Sequence, residues 1–143
     1  MAPPSQDAGD AADPALPAPA NAPEALARVL CDTGALTEAP PAATAVLWKL
    51  AEPGRQLDAN LVHLAPGEHI AAHAEPDLDV LVLVVSGSGA LGAGTADEPR
   101  PLAAGALVWL PRGSTRDIGA GGDGLDYLTV HTRRPGMRIR PRP

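Results

Sequence analysis

The sequence predicts an all-β domain, a sandwich or barrel, and three observations carry that prediction. From residue 44 onward, short apolar runs rich in Val and Leu follow one another: TAVLWKL, QLDANLVHL, HIAAH, VLVLVV, ALVWL and LDYLTVHT. Each is closed by a turn signal (EPGR, APGE, EPDLD, SGSG, PRGS and RRPG), and such punctuation marks strands. Their spacing, roughly ten residues, is that of successive strands in a sandwich or barrel. VLVLVV, residues 80–85, is apolar throughout, which predicts a central strand buried on both faces.

A chain of 143 residues suits one domain with tails. Residues 1–22 carry three Asp, no Lys or Arg, and Pro at positions 3, 4, 14, 17 and 19. Pro so placed stops helix propagation, so a disordered Ala/Pro-rich extension is expected. Without a basic start and an unbroken apolar run, it does not read as a secretory signal. Residues 23–43 predict a short helix and linker. Pro23 suits a first-turn position, and Glu24 lies near the positive helix end. Leu26, Val29 and Leu30 follow at helical spacing, with Gly34 as the stop. A helix over 23–38 is expected to dock on the body, or on another subunit, through that stripe. The barrel occupies residues 44–132. The tail, 133–143, holds five of the eleven Lys and Arg, a solvated end or a charge-only contact for an anionic partner.

Composition excludes several functions. A net charge of −6, with Trp48, Trp109 and Tyr127 as the only aromatics, offers neither basic footprint nor stacking platform for nucleic acid. No stretch approaches the roughly 18 apolar residues of a membrane span. Cys31 stands alone, which rules out an internal disulfide framework and an all-Cys zinc site; a packed, inert thiol is its simplest role. The expected location is the cytoplasm. No GxxxxGK[ST] loop is present, GAGG near position 120 lacks a following helix, and Ser86 and Ser114 sit in no nucleophile elbow.

Residues 67–89, GEHIAAHAEPDLDVLVLVVSGSG, resemble the first conserved motif of the cupin superfamily, with Gly67, His73 and Gly87 in register. Residues 105–116, GALVWLPRGSTR, resemble the second, with Gly105, Pro111 and Gly113 matching in spacing. The resemblance spans roughly residues 44–132. It implies a double-stranded β-helix of jelly-roll type, commonly a homodimer. A typical cupin holds a divalent metal with three His and one Glu. Here His73 matches the first ligand and Glu75 stands at the second. The acidic third ligand falls on Asp79 counted from one side and on Val80 counted from the other. Arg116, a permanent cation, occupies the fourth. His73 and Glu75 are thus the candidate metal ligands, with Asp79 left open as a second carboxylate. They are a poor zinc set, although iron or manganese tolerates oxygen donors; nickel is the remaining candidate.

In a strand, His73 and Glu75 share a face, which the family orientation turns into the barrel. Across that space, Arg116 is expected either to form a salt bridge with Glu75 or Asp79, or to take a ligand carboxylate bidentately with His73 free for proton transfer. Tyr127, Thr129 and His131 form one polar face opposite Leu128 and Val130, either a solvent-facing row or a lining of the cavity mouth. His63 is expected as a packed or surface histidine and His69 as a rim residue. Glu75, Asp77 and Asp79 lack calcium-loop spacing and read as a polar rim. Trp48 and Trp109 read as core or interface bulk. The candidate ligand-binding residues are therefore Arg116, His73, Glu75, Asp79, Tyr127 and His131. Three functions stay open: a module binding a small anion without a cofactor, a metal-dependent enzyme of dioxygenase or isomerase type, and a structural or regulatory interaction domain.

Overall fold

The computed structural model describes residues 25–134. The expectations for residues 1–22, and for 135–143 of the basic tail, lie outside the described residues. The elements run α1 (Thr33–Thr37), β1 (Ala45–Lys49), β2 (Leu57–Leu64), β3 (His69–Ala74), β4 (Val80–Gly92), β5 (Arg100–Ala103), β6 (Leu107–Leu110) and β7 (Thr115–Thr132). No helix among them is long and apolar enough to cross a membrane.

The two long strands organise everything else. β4 and β7 pair antiparallel from Leu81 opposite Val130 to Gly92 opposite Asp117. One half of this ribbon takes β6 on β4 and β2 on β7, with β1 at the edge of β2. The other half takes β5 on β4 and β3 on β7. Val80, Val82, Val84, Leu110 and Tyr127 from the first half meet Leu102 and Ile118 from the second in one apolar core. This is an all-β, jelly-roll double-stranded β-helix.

The ribbon bends where register shifts fall at Val84/Ser86 and Gly87/Gly89. Gly87 has φ 81°, and a Cβ there would overlap the carbonyl of Gly124 across the ribbon. At Gly89 a Cβ would likewise strike the Gly119 carbonyl. The glycines that look like strand ends in sequence are thus the places where two backbones come too close for side chains.

Two expectations are corrected. The helix is not the segment 23–38: residues 25–32 have no regular structure, and Leu26, Val29 and Leu30 are exposed. A stripe with nothing to pack on cannot offset the cost of helix nucleation. Instead, Asp32 caps a five-residue turn of helix by accepting the Ala35 N–H at 3.2 Å, and Gly34 lies inside it. Nor is β4 buried on both faces. Val80, Val82 and Val84 are buried, while Leu81 and Leu83 are 41% and 39% exposed on the outer surface.

Candidate functional site

Arg116 lies on the same face of β7 as Ile118, two residues on, and both are buried. The turn after β6 aims it there. Gly113, with φ 81°, donates its N–H to the Glu75 carbonyl at 2.7 Å, which fixes where β7 begins. The guanidinium makes one long hydrogen bond, Nη1 to the Ser114 carbonyl at 3.4 Å, and no ion pair with a carboxylate among the described residues. Arg116 lines a cleft of about 790 Å³ whose walls include Leu102, Leu107, Trp109 and Leu110, with Arg100, Asp97 and Glu98 also on its lining. Among the described residues, the buried side-chain nitrogen or oxygen left without a partner is His63 Nε2. The spare N–H groups of Arg116 are therefore not sealed in protein.

The other candidate residues are dispersed. Glu75 does not reach Arg116; its carboxylate pairs with Arg134. That contact, chiefly, holds the Glu75 carboxyl below its ordinary range, with help from the Asp77 N–H and the more distant charge of Arg116. Asp79 is exposed and accepts the Arg112 N–H at 2.9 Å, while Val80 faces the core. Both forms of the expected Arg116 salt bridge are thus replaced by other contacts. His73, expected to face into the barrel, is exposed and donates from Nδ1 to the Ala71 carbonyl at 3.0 Å. A register shift between Ile70 and His73 sets His73 opposite Arg116 on β7, but the ring turns back to its own backbone at the open end of β3. Tyr127 is buried in the apolar core, and that burial raises its phenol pKa. His131 is partly exposed and donates to the Thr132 carbonyl at 2.7 Å. The cleft holds only Arg116 of the six.

The metal that cupin folds commonly carry does not fit these side chains. An inward ligand set would need donors where this chain places Val80 and Arg116. Among the described residues, no three His, Cys, Asp or Glu side chains converge on one point.

One polar cluster escapes the sequence. On the outer face, His63 Nδ1 donates to Asp126 Oδ1 at 2.6 Å, and Ser86 Oγ donates to Asp126 Oδ2. The three residues tie β2, β7 and β4 together, with His63 2% and Asp126 4% exposed. The other ring nitrogen, Nε2, is buried with no hydrogen-bond partner. Only the cross-strand register, His63 opposite Asp126 opposite Ser86, joins residues 63, 86 and 126.

The fold defines a class: the chain is a cupin-fold, double-stranded β-helix domain. Neither a protein-family profile nor a curated protein matches it. Solved structures do. A Klebsiella pneumoniae protein with a double-stranded β-helix domain aligns at 18% identity and TM-score 0.59, over 75% of this chain and 90% of its own. A cupin superfamily protein from Desulfitobacterium hafniense aligns at 20% and 0.58, over 78% and 94%. KdgF from a Halomonas species aligns at 20% and 0.53, over 62% and 78%. At such identities the likeness speaks for the fold alone.

Proposed function

We propose that this domain is a binding or sensing module for a small organic anion, held through Arg116, rather than a metal-dependent enzyme. The observation that supports this is a buried guanidinium, without a carboxylate partner among the described residues, lining a cleft walled by Leu102, Leu107, Trp109 and Leu110 and also by Asp97 and Glu98. A buried cation without a counter-ion is costly, so an oxyanion that supplies one is held strongly. Arginine suits the task because its planar fork binds a carboxylate or phosphate with two parallel hydrogen bonds. Leu102, Leu107, Leu110 and Trp109 favour an anion with an apolar body over a bare ion. His73, exposed and turned to its own backbone, is poorly placed for proton transfer to such a ligand.

Thermal unfolding with octanoate as probe tests this reading. Ligand that binds only the folded state stabilises it by about 2.7 kcal/mol at a hundred times its Kd. Octanoate should raise the melting temperature. Acetate, which lacks the body, and octanamide, which lacks the charge, should do so far less. Inorganic phosphate separates carboxylate from phosphate preference. The gain should vanish in Arg116→Gln; a gain that survives this change, or none with octanoate or phosphate, would overturn the proposal.

A further inference from the structure

The lining of the Arg116 cleft carries both signs of charge. Asp97 and Glu98 come from the connection between β4 and β5, Arg100 from β5, and Arg116 from β7. That connection is folded onto the start of β7: Gly94 has φ 73°, and a Cβ there would overlap the Thr115 side chain. Within it, the Asp97 N–H donates to Thr95 Oγ1 at 3.3 Å. Depth separates the charges. Arg116 is buried, at 7% exposure, together with Leu102 and Leu110, whereas Asp97, Glu98 and Arg100 are exposed. Among the described residues, none of these four charged side chains is in an ion pair, with one another or with any other group. Two acids against one arginine leave the rim negative, while the base of the cleft is positive.

We propose that this cleft takes an amphoteric ligand of ω-amino acid type, a carboxylate with an apolar middle and a cationic far end. The inference rests on the anion reading of Arg116 and names the ligand class of that same site. The buried guanidinium takes the carboxylate, since a buried cation gains most from a counter-ion. The apolar middle lies along Leu102, Leu107 and Leu110. The cationic end reaches the rim, where Asp97 and Glu98 supply acceptors and Trp109, 59% exposed, offers the face of its ring. The same rim acts against a dianion, because a second carboxylate there meets two like charges with only Arg100 to offset them. Exposed charges interact weakly, so the rim discriminates by sign while Arg116 provides most of the hold.

Titration calorimetry of the full chain with three eight-carbon carboxylates tests this. 8-Aminooctanoate, octanoate and octanedioate share one carboxylate and a chain length, and differ in the charge of the far end. Affinity should fall in that order, by about threefold at each step, the size of an exposed ion pair. The steps should shrink at about 1 M salt, where screening acts within about 3 Å. With Asp97→Asn and Glu98→Gln together, 8-aminooctanoate should lose its advantage while octanoate loses no affinity. Both positions are exposed, so circular dichroism should be unchanged. Arg116→Gln should abolish binding of all three. Octanoate binding as tightly as 8-aminooctanoate, or an order that survives the paired substitution, would overturn the amphoteric class and leave Arg116 as a plain anion site. 8-Aminooctanoate bound normally by Arg116→Gln would place it outside the cleft and likewise overturn the proposal. No binding by any of the three would overturn both readings.

Discussion

The Glu75 carboxylate shows how one contact sets a charge at the edge of the barrel. Its pairing with Arg134, reinforced by the Asp77 N–H at 3.2 Å, keeps the carboxyl below its ordinary value of 4.5 in the folded protein. A depressed carboxyl stabilises the fold above the unfolded value, and the contribution is lost as pH falls through the folded one. Arg134→Ala should therefore move the Glu75 midpoint upward in a carboxyl NMR titration and flatten the acid side of the stability curve. An unmoved midpoint would show that the Arg134 contact does not persist in solution. Arg116 contrasts with Glu75: one charge has found its partner, and the other has none among the described residues. Sequence suggested the reverse pairing because Arg134 reads there as part of a tail, whereas β7 carries it back beside the turn after β3. The resemblance of residues 105–116 to the second motif, with Arg116 at the fourth ligand position, implied an inward Arg116, and the side chain is buried on the same face of β7 as Ile118.

At the level of elements, the outer-face cluster of His63, Asp126 and Ser86 is a staple across three strands. Asp126→Ala leaves a buried imidazole N–H and a hydroxyl without an acceptor, a loss of about 3 kcal/mol. Asp126→Asn keeps one acceptor oxygen for His63 and should cost about 1 kcal/mol. Urea unfolding of both variants checks the order; equal losses would mean that the carboxylate's two bonds are not what matters. Each of the six strand runs named from sequence falls on an observed strand, overrunning it by at most one residue at either end, because alternation and turn residues act locally. β5 and the first half of β7 were not legible. RPLA is short and contains Pro, which an edge strand tolerates, and TRDIGAGGDG contains four glycines. Of those glycines Gly121 meets Ser88 of β4 and Gly124 has φ 78° beside β2, contacts between distant parts of the chain with no local signature. The helix failed for the opposite reason: its periodicity was local and real, but no surface covers it.

For the whole molecule, the packing of the interior bears on whether a metal fits inside this barrel. The interior is packed with Val80, Val82, Val84, Leu102, Leu110, Ile118, Leu125 and Tyr127. Burial of that kind is worth about 25 cal/mol per Å² and favours a filled barrel over a hydrated metal cavity. The inward places that would carry the acidic and final ligands hold an apolar side chain and a cation. Sequence already exposed the cation at position 116, while the choice between Asp79 and Val80 awaited the strand parity of β4. Protein purified without chelator should therefore contain far less than one equivalent of iron, manganese, zinc or nickel by elemental analysis. Its melting temperature should not move with EDTA, because a ligand that is not bound cannot contribute by mass action. About one equivalent of metal, lost together with several degrees of stability in His73→Ala, would mean that β3 rearranges to turn His73 inward. In that event the anion held by Arg116 would be a substrate beside a metal.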